Sequence, residues 1–164
     1  MEIDRNTIGG FGERVRKNLA FMIAAHARGD DVHIVTELTT ALLGVIVFPY
    51  AYLEEKQFID FKKYRLNVLA ADGWPVWTFH FGSSTHLHDH LRHLRNALSH
   101  RRIDFSSNDR VLKKVEIMFS DRPNSTKKEP KPPINWSATI NGAALLDFTL
   151  RLAKLIDQEN HMAG

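Results

Sequence analysis

The 164-residue chain contains no cysteine. Disulfide bonds, thiolate nucleophiles and thiolate zinc sites are therefore excluded, and a chain that does without them suits a reducing, cytoplasmic setting. A long apolar run is missing too. The longest, Ala41 to Leu53, is broken by Pro49 and falls short of the ~20 residues needed to span a bilayer core. No apolar stretch follows Met1-Glu2-Ile3-Asp4-Arg5, so neither a signal peptide nor a membrane partner is expected. Charge of one sign is scarce: the net charge of +3 permits an anionic partner without requiring one. Internal repeats are absent as well. What is present is 43% apolar and 25% charged, an ordinary globular balance, at a length that suits one domain spanning 1–164.

Glu13 to Arg28 reads as an amphipathic helix, with Val15, Leu19, Met22 and Ile23 on one face and Gly29 just past its end. Asp30 or Asp31 then caps a second helix starting near Val32. That helix is apolar almost all round (Leu38, Leu42, Leu43, Val45, Ile46, Val47), and self-association is a natural way to cover it. Pro49 ends or kinks it. Phe58 to Phe81 is dense in aromatics and carries the turn signal Asp72-Gly73-Trp74-Pro75. It reads as irregular structure over the bundle, with one short helix near Phe58 to Leu66. Ser83, Ser84 or Thr85 caps a helix running to about Ser99, whose core stripe is Leu87, Leu91, Leu94 and Leu98.

Alternation returns late: Val115, Ile117, Phe119, then Ile134, Trp136, Ala138, Ile140, a two-stranded ribbon. The intervening Asp121 to Pro133 holds four prolines with Lys127, Lys128 and Lys131, and reads as a solvated loop. Asn141 caps a last helix to about Asp157, with Leu145, Phe148, Leu152, Leu155 and Ile156 inward. The expected fold class is all-α: a bundle of four to five helices with a small late β-hairpin.

Chemistry concentrates in Arg95-Asn96-Ala97-Leu98-Ser99-His100, flanked by Arg92, His93, Arg101 and Arg102. An always-charged guanidinium beside an imidazole suits few tasks, and phosphodiester handling is one. Cleavage of RNA by its own 2′-hydroxyl needs a base, an acid and positive charge on the developing phosphorane; histidine and arginine supply these. Asn96 and His100 share a helix face, whereas Arg95 and His100 stand about 140° apart, at ~100° per residue. They converge only if the helix ends near Ser99, or through a second chain. The plainer reading is a solvated helix end whose cations suit the helix dipole.

Arg95-Asn96-x-x-x-His100 resembles the R-x4-H signature of the HEPN family (higher eukaryotes and prokaryotes nucleotide-binding). Leu42-Leu43-Gly44-Val45-Ile46-Val47-Phe48-Pro49 and Leu94 to Phe105 are similar to segments of its stand-alone prokaryotic branch. The resemblance implies an all-α HEPN-like bundle and a homodimer with a composite cleft. It further implies metal-independent endoribonuclease activity of toxin or defence type, without a cofactor. Arg95 would stabilise the phosphorane, Asn96 would position phosphate or His100, and His100 would be acid or base. Arg92, His93, Arg101 and Arg102 would bind RNA. An antitoxin or a nucleotidyltransferase is the partner such proteins often have. The alternative is a catalytically silent member that binds nucleotide or RNA, or serves as an interaction module.

His86, His90 and His93 sit at i, i+4 and i+7, a spacing compatible with zinc. This gives a third reading, a histidine-ligated metalloprotein. The plainer reading is a polar outer face, and imidazoles lining the cleft could instead supply a second acid or base. Glu37 reads as solvent-facing, with Arg95 or His100 as candidate partners if buried. Trp74, Trp77 and Phe79 could stack on bases but read as core. Arg122, Lys127, Lys128 and Lys131 could track a phosphate backbone, though a solvated loop fits better. Glu13 and Lys17 form a surface i, i+4 pair.

Overall fold

The computed structural model describes residues 10–47, 60–124, 129 and 131–162. The kink expected at Pro49, the start of the short helix near Phe58, and Lys127 and Lys128 lie outside the described residues. Five helices are described: α1 Phe11–Ala27, α2 Ile34–Val45, α3 Leu66–Ala71, α4 Leu87–Ser99 and α5 Gly142–Met162. The strands are β1 Thr78–Phe81, β2 Ile103–Phe105, β3 Glu116–Asp121 and β4 Trp136–Asn141, in one antiparallel sheet of order β1-β4-β3-β2.

That sheet corrects the all-α expectation: the fold is mixed, helices with a four-stranded antiparallel sheet. The expected hairpin is its centre. The two strands beyond that hairpin, β1 and β2, are the sheet's edges. β2 has three residues, too few to display a period of two. β1 follows the Trp74-Pro75 turn signal and is bulged between Phe79 and Phe81, which breaks its alternation. Both are held by pairing with β3 and β4 rather than by local pattern. Within the expected span Phe58 to Leu66 the chain makes a 3-10 turn at Phe61–Lys63, and a short α-helix follows it at Leu66–Ala71.

The inward stripe of β3 is Ile117 and Phe119, opposite Ile140 and Ala138 of β4, and all four are buried. The same register sets Asp121 opposite Trp136 at the end of that face. Helix α4 lies on β3, presenting Leu87, Leu91 and Leu94, all fully buried. On the helical side α1, α2 and α5 pack on one another. Leu38, Leu42, Val45 and Ile46 of the apolar second helix are fully buried there, and Leu43 is left exposed. The chain's own helices therefore cover most of α2, so its apolar girth does not call for a second copy.

Helix ends differ from expectation in an informative way. Gly29 follows α1 with φ +87°, and the Gly29 and Asp30 N–H groups return to His26 and Ala25, a Schellman closure. Asp30 and Asp31 do not cap α2; they take Arg28 and Arg110, and His33 precedes the helix without a side-chain cap. His86 rather than Ser83, Ser84 or Thr85 precedes α4. Asn141 caps α5 as expected, accepting from the Ala143 N–H at 3.0 Å.

Candidate functional site

Helix α4 ends at Ser99, with His100 as the half-turn after it. It too closes by a Schellman motif: the N–H of Arg101 reaches Leu98 O at 3.3 Å, and that of Arg102 reaches Ala97 O at 2.9 Å. The residue in the left-handed position is Arg101, with φ 56°. The other positive-φ residues described, Gly29, Gly73 and Gly82, are all glycines. An arginine there accepts backbone strain that glycine avoids.

Asp121 organises the site, and sequence reasoning missed it. It is 3% exposed, and its carboxylate gathers four donors. His93 Nδ1 lies 2.8 Å from Oδ2, and Asn96 Nδ2 donates to the same oxygen at 3.0 Å. Arg102 donates to Oδ1 at 3.2 Å, and the Arg122 N–H donates there at 2.8 Å. His93 and Asn96, one turn apart on α4, thus meet the end of β3, and Arg102 returns to it just after the helix stops. Desolvating a carboxylate is costly unless its lone pairs are filled, and here they are.

The shell extends outward. Arg95 donates to Asn96 Oδ1 at 3.4 Å, and Arg92 approaches His93 Nε2 at 3.4 Å. The His93 ring stacks on Trp136 with centroids 4.8 Å apart and 7° between planes. Trp136 is itself held by Ser84, whose Oγ accepts from the indole N–H at 3.0 Å. His100 is exposed, and among the described residues its imidazole has no partner. Arg92, Arg95 and Arg101 form no ion pair among the described residues. The fold therefore brings Arg92, His93, Arg95, Asn96 and Arg102 into one network, and leaves His100 and Arg101 presented at its edge. No hydrogen bond joins Arg95 to His100.

The histidine row divides. His86 precedes the helix, His93 belongs to Asp121, and His90 is fully buried among Trp77, Phe79, Trp136 and Phe148. Neither ring nitrogen of His90 has a partner, and burial, with His93 nearby, pushes its imidazole down to about 3. It is a core residue rather than part of a polar outer face, and the three imidazoles do not converge. Among the described residues no group of three His, Asp or Glu side chains is placed to hold a metal ion. Glu37 is half-buried beside Asn18 and Met22 and pairs with neither Arg95 nor His100. Trp77 is buried, with Trp74 and Phe79 packed on the core, as read from sequence. Arg122 reaches the Pro132 carbonyl at 3.3 Å.

Residues 1–162 match the family described as HEPN pEK499 p136. The chain belongs to that HEPN family. No curated protein and no solved structure matches it. Membership in a HEPN family supports a nucleotide- or RNA-related function in general terms. No described helix of this HEPN protein is long and apolar enough to cross a membrane.

Proposed function

We propose that this HEPN protein is a metal-independent endoribonuclease, acting as a homodimer through Arg95, Asn96 and His100. One observation carries the reading: three guanidiniums without a carboxylate partner among the described residues (Arg92, Arg95, Arg101) lie along and just past α4, and His100, at the helix end, is exposed with no partner there. Like charges gathered without counter-charge repel one another, and an anionic ligand relieves that repulsion. Polyanionic RNA fits this need, and arginine matches phosphate oxygens bidentately. Asn96 is pinned by Asp121, so its amide oxygen holds Arg95 at a set angle.

His100 and Arg95 do not touch within one chain, and that favours completion of the site by a second copy. The same observation supports the silent, RNA- or nucleotide-binding reading if no second copy binds. The test is incubation with RNA in the presence of a chelator. The ribonuclease reading expects products ending in a 2′,3′-cyclic phosphate and no cutting of a deoxy substrate. His100→Ala and Arg95→Ala should each abolish cutting while thermal melts stay near wild type. Binding without cutting by the wild type would establish the silent reading instead. A toxin or defence role adds growth arrest on expression, relieved by His100→Ala.

A further inference from the structure

We infer that His93 is a second proton carrier of this site, the general base for the 2′-hydroxyl, held in its working tautomer by Asp121. The inference rests on the ribonuclease reading and deepens it, by taking the base from α4 and the acid from His100 just past its end.

The tautomer follows from the partners. A carboxylate only accepts hydrogen bonds, so the 2.8 Å contact between Asp121 Oδ2 and His93 Nδ1 places a proton on Nδ1. A guanidinium only donates, so the Arg92 contact at 3.4 Å meets a lone pair on Nε2. Neutral His93 therefore turns its basic nitrogen away from the carboxylate and toward the arginine side of the helix. An acid that orients an imidazole through Nδ1–H also stabilises the imidazolium formed when Nε2 takes a proton. The ring cannot swing, because it lies flat on Trp136, and Trp136 is fixed by Ser84. Such preorganisation is what a proton-transfer group needs.

The surroundings support the role. The charged groups facing His93 are Asp121 from β3, Arg92 on α4, and Arg102 beyond α4's end, with neutral buried His90 one turn back. The long Arg92 contact is weak enough for a substrate hydroxyl to displace. His93 and His100 are seven residues apart, two turns along the same face, at about 100° per residue. His100 closes the helix, where the dipole favours a cation. In the step proposed, His93 Nε2 takes the 2′-hydroxyl proton and the 2′-oxygen bonds to phosphorus. The bond from phosphorus to the 5′-oxygen breaks, and that oxygen takes a proton from His100. The products are a 2′,3′-cyclic phosphate and a 5′-hydroxyl, with one proton accepted and one released.

The test is the pH profile of kcat/KM for RNA cleavage by wild type, His93→Gln, Asp121→Asn and His100→Ala. Glutamine keeps an N–H for Asp121 without a titratable nitrogen, so the fold is retained, which a thermal melt checks. We expect His93→Gln to lose about 10²- to 10⁴-fold in rate and to lose the acidic limb of the profile, while His100→Ala loses the alkaline limb. A 5′-bridging sulfur leaving group, which needs no acid, should rescue His100→Ala and leave His93→Gln slow. Added imidazole should partly restore His93→Gly. If His93→Gln cuts RNA at the wild-type rate with both limbs intact, or imidazole restores nothing, His93 is only a positioning residue and the inference fails while the ribonuclease reading stands. If wild type cuts no RNA at any pH, that reading and the inference fall together.

Discussion

Asp121 occupies the last inward position of β3, two residues after Phe119, and faces three side-chain donors with almost no water to share them. Truncation would leave the Arg102 guanidinium, the Asn96 amide and the His93 ring without their acceptor. Asp121→Ala should therefore cost about 3 kcal/mol, seen as an earlier midpoint in urea. Arg101 offers the opposite experiment. Glycine at its left-handed position removes a Cβ clash of about 1 kcal/mol, so Arg101→Gly should raise the melting temperature by about 3 °C. If Arg101 contacts RNA, the same change weakens binding, and affinity and stability move in opposite directions. Asp121 was visible in principle. It continues the stripe Val115, Ile117, Phe119, and an acid on an apolar stripe signals a buried partner set. Asp121 also opens the polar, proline-rich stretch that runs to Pro133, and that composition masks the signal.

At the scale of elements, α4 is the piece that joins core to site. Its leucine stripe buries as read, because apolar spacing at 3.6 residues per turn reports directly on which face meets the interior. His90 did not follow the pattern, since its ring is enclosed by four aromatic residues from β1, β4, α5 and the segment before β1. Burial holds His90 at about 3, against an ordinary 6.5. Below pH 6.5 the unfolded chain takes up a proton there that the folded chain refuses, so stability falls as pH drops from about 6.5 toward about 3. His90→Phe keeps a ring and removes both unpartnered nitrogens. It should flatten that acid loss and add about 1–3 kcal/mol at neutral pH, measured by urea unfolding across pH. Edge strands β1 and β2 were illegible for a related reason: their pairing partners lie elsewhere in the chain, and three or four residues carry too little periodicity to announce them.

The proposed homodimer draws its support from the site and not from the core. The apolar girth of α2 gives no reason for it, because α1 and α5 supply the cover. The reason moves to α4 and its end, where Arg92, Arg95 and Arg101 have no carboxylate partner among the described residues and His100 is exposed. Sedimentation velocity should find a dimer that dissociates on dilution, with specific activity falling over the same concentration range. Activity that is independent of concentration, from a monomer, would place the whole reaction within one chain. The main helices and the central hairpin were legible in sequence, since each is written in local spacing and residue type, and the R-x4-H cluster carried a resemblance to the HEPN family that the match over residues 1–162 bears out. Only the tertiary structure decided the four-stranded sheet, the burial of His90 and the grip of Asp121 on His93, Asn96 and Arg102. Those depend on residues far apart in the chain meeting in space, His93 and Asp121 across 28 positions and Thr78 and Thr139 across 61, and local periodicity holds no record of such meetings.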